Sequence, residues 1–301
     1  MKSKNDVLIG CLCAFGCESL FGFSFLFSKN ATNVASPLAL LGWRFLVAFI
    51  VISICAATGI MQVHLKGKSL KPLLIIGLVI PVLYFIGETY GIAFTTASES
   101  GVVISTIPVV SVMASSIFLK EKPLRQQIIG IFVSLVGVII TVLAVGRSVS
   151  FSIPGYIMLF IAVFSYAIYS VLVEKAINYT GAEVTFGMLG VGAVVFLILA
   201  CGEALANGTM STLVTLPFKN VSFLSAVLYQ GIGCSVMGFF MSNIALAKIG
   251  VNRTASFVGL SSAVSIISGT LFLHEPFTLY QLIGAGLIVG GVYIANSRLS
   301  H

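Results

Sequence analysis

The chain has 301 residues, of which 58% are hydrophobic and only 8% charged, and its formal net charge is +7. A soluble domain carries about one quarter charged residues, so this composition excludes a water-facing globular surface and points to a polytopic membrane protein. The positive charge does not signal nucleic acid, because the basic residues gather in short loops in the manner of the positive-inside rule; the partners expected are the lipid bilayer and a small-molecule substrate, and no nucleic acid.

A spanning helix needs about 20 apolar residues. Ten runs qualify, at roughly 7–27, 37–58, 72–95, 98–118, 124–145, 153–174, 183–203, 222–247, 250–272 and 276–296. The opening MKSKND and the apolar VLIGCLCAFGCESLFGFSFLF do not read as a signal peptide. The run is too long, holds Glu18 and lacks a small-residue cleavage pattern, so it is expected to stay as the first helix. Pro37, Pro72, Pro123, Pro154 and Pro276 sit near the starts of runs, where a missing N–H costs nothing. Unpaired backbone groups are excluded from lipid and no long alternating strands occur, so the runs predict an all-α membrane protein of ten transmembrane helices.

With the N-terminus inside and the runs alternating, 12 Lys and Arg fall on the inner side and 3 on the outer, Lys29, Arg147 and Lys219. This predicts a multi-pass protein of the cytoplasmic membrane with both termini cytoplasmic. The six cysteines lie in or near apolar runs without a CxxC pair. Cys13 and Cys17 share a helix face at i,i+4, but cysteine as a small buried apolar residue explains them better than a metal; no metal or cofactor is expected.

The chain repeats itself. Residues 116–130 read SIFLKEKPLRQQIIG and residues 270–284 read TLFLHEPFTLYQLIG. At a fixed offset of 154, Ser111 meets Ser265, Glu121 meets Glu275, Gln127 meets Gln281, Gly130 meets Gly284 and Gly137 meets Gly291. A unit of five helices is odd, so the second copy enters the membrane from the other side. The lysines around Glu121 are absent around Glu275, as that inversion requires. Two inverted five-helix repeats, 1–147 and 148–301, are a common build for secondary transporters.

Several segments carry a resemblance. FGFSFLFSK (21–29) is similar to WGxxFxxxK, with Phe21 in place of Trp. PLALLGWRFLVA (37–48), TTASESGVVISTIPVVSVMASSIFLKEK (95–122), FSYAIYSVLVEK (164–175) and ALAKIGVNRTASFVGLSSAVSIISGTLFLHE (245–275) match further blocks. The chain resembles the EamA-type transporters of the drug/metabolite transporter superfamily over almost its whole length. The resemblance implies ten helices, a central cavity, and export or exchange of small metabolites such as amino acids, amines, nucleobase-like compounds or sugar derivatives. One departure stands out. Ser262 occupies the place of a proline often found there, opposite Pro108 in the first half, so the halves are expected to bend unequally.

An ionisable residue at a membrane helix centre costs about 2.5–3.5 kcal/mol, which makes such residues the first functional candidates. Glu18 suits proton transfer or a cationic substrate, or else a structural hydrogen bond. Glu88, between Gly87 and Gly91, shares a helix face with Tyr84 one turn earlier. Arg44 lies at a similar depth and could pair with Glu88 or Glu18, or hold a substrate carboxylate. The resemblance implies that the second helix stands behind the cavity wall, which favours a structural anchor for Arg44. Tyr166, Tyr169, Gln230 and Asn243 are neutral candidates. Ser261, Ser265 and Ser268 form a polar stripe that suits either a cavity or close packing. Phe21, Phe23, Phe25 and Phe27 alternate around the helix and do not form a cation cage by themselves; lipid contact and packing are expected. Gly286 and Gly290 form a GxxxG packing signal. Glu121 and Glu275 suit a hinge or cap at opposite membrane faces.

An enzyme is disfavoured. The single aspartate, Asp6, is N-terminal, no histidine lies within a run, and HExxH, GxSxG and the nucleotide-binding GxxxxGK[ST] are absent. The reading is a monomeric secondary transporter working by alternating access, with protons as candidate coupling ion through Glu18 and Glu88. An uncoupled facilitator is the alternative, distinguished by its indifference to a proton gradient.

Overall fold

The computed structural model describes residues 4–95, 97–104, 106–120, 122–145, 152–272 and 279–296. Glu121, Glu275 and the junction between the two expected repeats lie outside the described residues. Every described regular element is helical.

The first long helix, α1 (Lys4–Thr32), runs unbroken, and α2 (Pro37–Ala57) follows with Pro37 in its first turn and the Ser36 hydroxyl accepting from the Ala39 N–H. The third apolar run is interrupted. α3 (Lys71–Gly77) passes through a π-helical segment (Leu78–Leu83) into α4 (Tyr84–Phe94), and Ile80 leaves helical geometry at φ −129°, ψ 121° directly before Pro81. An interior proline removes a backbone donor and crowds the preceding turn, so Pro81 accounts for the break.

The fourth run is divided into α5 (Ala97–Ile104) and α6 (Ile107–Phe118), with Pro108 in the first turn of α6. α7 (Arg125–Val145), α8 (Ile153–Lys175) and α9 (Gly181–Ala206) correspond to single runs, and a short helix that the runs did not include, α10 (Met210–Lys219), follows. α11 (Val221–Leu228), a second π-helical segment (Tyr229–Gly238) and α12 (Phe239–Ser256) are continuous up to Gly250, whose φ of 77° breaks α12. α13 (Val258–Phe272) and α14 (Leu279–Asn296) complete the chain. Ser262 sits inside α13, which starts at Val258 after a turn at Phe257, whereas its first-half counterpart Pro108 stands in the first turn of α6.

Among the described residues, six segments are long and apolar enough to cross a membrane: Asn5–Thr32, Pro37–Ala57, Lys71–Phe94, Ile153–Lys175, Gly181–Ala206 and Val221–Ser256. Large apolar side chains such as Leu12, Ile54, Phe132 and Ile198 point outward, as they do in a multi-pass protein whose solvent is lipid.

Glycines set the closest helix approaches. Gly42 of α2 meets Ala200 of α9 while Gly190 meets Phe49, so these helices are antiparallel. Gly10 of α1 lies against Ile249 and Gly16 against Met241, which makes α1 and α12 antiparallel, and Lys248 is ion-paired with Asp6 at that end. Gly87 and Gly91 of α4 meet Met158 and Leu159 of antiparallel α8. In the α7–α14 pair the contacts run through Gly130, Gly137, Gly284 and Gly291. The expected Gly286–Gly290 signal does not pack, because both positions face open space. The glycines that matter are seven apart rather than four, and an antiparallel partner at its own shallow crossing selects them.

Candidate functional site

Helices from both halves meet around a narrow buried cavity of about 20 Å³. Its lining combines two carboxyls with aromatic rings: Glu18, Phe21 and Phe25 of α1, Tyr84, Phe85 and Glu88 of α4, Tyr166 and Tyr169 of α8, and Phe239 and Ser242 of α12, with Ser261 of α13. No lysine, arginine or histidine is among the described residues that line it.

Local sequence explains how each group arrives. Gly22 lets α1 approach α13 so closely that a Cβ there would stand 2.8 Å from the Ser261 carbonyl oxygen. That contact brings Ser261 and Glu18, one turn apart along α1 from Gly22, to the same cavity. Gly87 and Gly91 do the same for Glu88, because a Cβ at Gly87 would stand 2.4 Å from the Met158 carbonyl oxygen of α8. Glu18 and Glu88 are both buried. The Tyr84 hydroxyl donates to Glu88 Oε1 at 2.8 Å. The Tyr166 hydroxyl is buried in the wall and makes no hydrogen bond among the described residues. Buried hydroxyls are normally paired, so this one, beside Ser242 in the cavity lining, is a candidate contact for a ligand group.

The rings are in mutual contact. Tyr84 and Tyr166 centroids are 6.2 Å apart, Tyr166 and Tyr169 5.8 Å, and Phe239 lies 5.8 Å from both Phe21 and Phe85. The four alternating phenylalanines therefore divide by face. Phe21 and Phe25, an i,i+4 pair, turn inward, Phe23 is exposed, and Phe27 stacks on Tyr229. Lipid contact and packing were expected of them; the inward pair follows the i,i+4 spacing.

Arg44 is fully buried but does not line the cavity. Its Nε donates to Ser235 Oγ at 2.9 Å and its Nη1 to Gln230 Oε1 at 3.0 Å, while the guanidinium lies 4.1 Å from the Phe85 ring centroid. No carboxylate of the described residues comes within ion-pairing distance, so the contemplated pairs with Glu88 or Glu18 do not form. Gln230 belongs to this anchor too, since its Nε2 donates to Ser28 Oγ at 3.0 Å. The serine stripe also divides. All three donate back to carbonyls of their own helix, but Ser261 also lines the cavity while Ser265 packs where Gly101 of α5 comes close.

Tyr169 closes one end. Its hydroxyl donates to Asn243 Oδ1 at 2.8 Å, and Asn243 Nδ2 donates to Thr185 Oγ1 at 2.9 Å. Asn243 also lines a second, larger cavity of about 380 Å³ with Glu174, Tyr179 and Gly181. The hydrogen-bonded group thus stands between the central cavity and an outer recess. Among the described residues no three His, Cys, Asp or Glu side chains are grouped to hold a metal ion.

Comparison with known proteins agrees with this architecture. The model of the EamA-like transporter family matches twice, over residues 8–143 and 153–297. A Bacillus subtilis (strain 168) protein named Uncharacterized transporter YcxC is 30% identical, the match covering 93% of this chain and 90% of that one. An Archaeoglobus fulgidus protein named Uncharacterized transporter is 22% identical over 92% of this chain and 94% of its own. A solved crystal structure superposes with a TM-score of 0.74 at 19% identity, with 100% of both chains covered, which establishes the fold alone. The chain belongs to the EamA-like transporter family, within the drug/metabolite transporter superfamily, and is a multi-pass membrane transporter built from two family repeats.

Proposed function

We propose that the protein is a secondary transporter of the cytoplasmic membrane that moves a small polar or amphipathic metabolite by alternating access, as an exporter or proton-coupled exchanger. The observation that carries this reading is the narrow cavity itself, closed off between helices of both halves and holding two buried carboxyls. Ten crossings in two inverted repeats, 1–147 and 148–301, with both termini cytoplasmic, complete the proposal. Antiparallel pairing of α2 with α9 and of α7 with α14, the counterpart helices of the two halves, supports the inversion.

In this reading the Tyr169–Asn243–Thr185 hydrogen bonds are a gate on the cytoplasmic side, since α8 ends there at Lys175. Glu18, which faces Tyr166 and Ser261, and Glu88, which faces Tyr84, carry the protons. The test is proteoliposomes loaded with a pH-sensitive dye and challenged with amines, amino acids and nucleobases. Substrate-driven proton movement is expected, lost in Glu18→Gln or Glu88→Gln. Full proton movement in both single variants and in the double variant would sink the carboxyl assignment. Substrate flux that ignores the proton gradient would identify a facilitator.

A further inference from the structure

The central cavity has a chemical bias that a general metabolite site would not need. Two carboxyls enter it and no basic side chain among the described residues does. Arg44, a buried cation nearby, does not line the cavity: its Nε and Nη1 are held by Ser235 and Gln230 and its guanidinium lies over Phe85, while Nη2 makes no hydrogen bond among the described residues. The walls are aromatic faces, which attract cations through their quadrupoles. Phe85 already receives the Arg44 guanidinium in this way. The unpartnered Tyr166 hydroxyl stands ready in the same wall.

We infer that this cavity selects a small organic cation with an apolar or aromatic body, of the arylalkylamine or quaternary ammonium class; the inference rests on the transport reading above and names the substrate class of the same site. A buried carboxylate without a partner is strongly unfavourable, and a cation seated between Glu18 and Glu88 supplies that partner. The rings of Tyr84 and Tyr166 flank the cationic head, and the Tyr166 hydroxyl accepts from an ammonium N–H. A carboxylate on the ligand would face Glu18 and Glu88 with only hydroxyls to offset the repulsion, which works against amino acids and acids. The free space of about 20 Å³ is too small for any organic ligand as the helices stand, so they must part to admit one.

The test uses the purified full chain in lipid nanodiscs and five ligands of similar shape: 2-phenylethylamine, benzyltrimethylammonium, 2-phenylethanol, L-phenylalanine and phenylacetate. Calorimetric titration is expected to give the two cations at least about tenfold tighter binding than the other three. Glu18→Gln and Glu88→Gln are each expected to weaken the cations without helping the alcohol. Tyr166→Phe is expected to weaken 2-phenylethylamine more than benzyltrimethylammonium, which has no N–H to donate. The alcohol, the zwitterion or the acid binding as tightly as the cations in the native protein overturns the inference, and so does the absence of any cation binding at millimolar concentration. Cation affinity unchanged in both glutamine variants also overturns it. Proteoliposome flux of the same ligands separates the two readings. Cation binding without flux upholds the site and overturns transport, whereas flux of phenylacetate without cation binding overturns the inference alone.

Discussion

Gly130 of α7 and Gly291 of α14 approach so closely that a Cβ on either would stand 2.4 Å from the other's carbonyl oxygen. Gly137 meets Gly284 in the same way, at 2.5 Å. Gly284 and Gly291 are the residues that the 154-residue offset pairs with Gly130 and Gly137, so each glycine contacts the counterpart of the other. Ser134 donates to the carbonyl of Ile288, its own counterpart at that offset. Contacts of i with the equivalent of j, and of j with the equivalent of i, are the rule for a twofold axis. The axis here relates two segments of one chain.

This arrangement tolerates no side chain. Gly130→Ala is expected to lower stability by about 1–3 kcal/mol through overpacking against backbone, which cannot rotate away. Gly286→Ala, on the open face, is expected to be neutral. Thermal unfolding of both variants in the same detergent checks the contrast, and equal melting temperatures would mean that α7 and α14 separate readily.

The reading of Arg44 as an anchor, held by Gln230 and Ser235 outside the cavity lining, gives a further prediction. Arg44→Met removes the donor from Gln230 Oε1 and Ser235 Oγ and is expected to cost about 1–3 kcal/mol. Ligand charge preference is expected to stay as in the native protein. A folded Arg44→Met variant that changes its preference between amine and acid would place the guanidinium in the recognition site after all.

Lys29 ties the end of α1 to the end of α4, with Nζ donating to the carbonyls of Ile92 at 3.2 Å and Thr95 at 2.6 Å. A cation at a helix C-terminus in a partly buried setting contributes about 1–2 kcal/mol. Lys29→Met is expected to lose that much, and Lys29→Arg to retain most of it, in the same unfolding assay. At the far end of the bundle, Glu174 of α8 accepts from the Val251 N–H where Gly250 breaks α12.

The Tyr169–Asn243–Thr185 group gives a prediction about access. With the six native cysteines replaced and Ser261→Cys introduced, Asn243→Ala is expected to raise labelling by a membrane-impermeant thiol reagent applied from the cytoplasmic side. Labelling from the opposite side is expected not to change. A rise of under about twofold on the cytoplasmic side, a free-energy change below RT, would mean that the hydrogen bonds do not close that path.

The amino-acid sequence alone determined the all-helical membrane class and the family, because hydropathy, backbone satisfaction in lipid and recurring motifs are local properties of the chain. It also marked Glu18 and Glu88, since an ionisable residue in an apolar run announces its own cost. For Arg44 the family resemblance favoured an anchor without naming what holds it, and spacing could not see that Gln230 and Ser235, 186 and 191 residues away, would take up its Nη1 and Nε. Likewise the GxxxG at Gly286 looked stronger than Gly284 and Gly291, because the packing face of a helix is chosen by its partner's position. The different surroundings of the serines in the stripe were decided by tertiary structure for the same reason, whereas the break at Ile80 follows locally from Pro81. Which side of a membrane helix faces protein, cavity or lipid depends on neighbours distant in the chain, and an apolar sequence bathed in an apolar solvent carries little polarity contrast to reveal it.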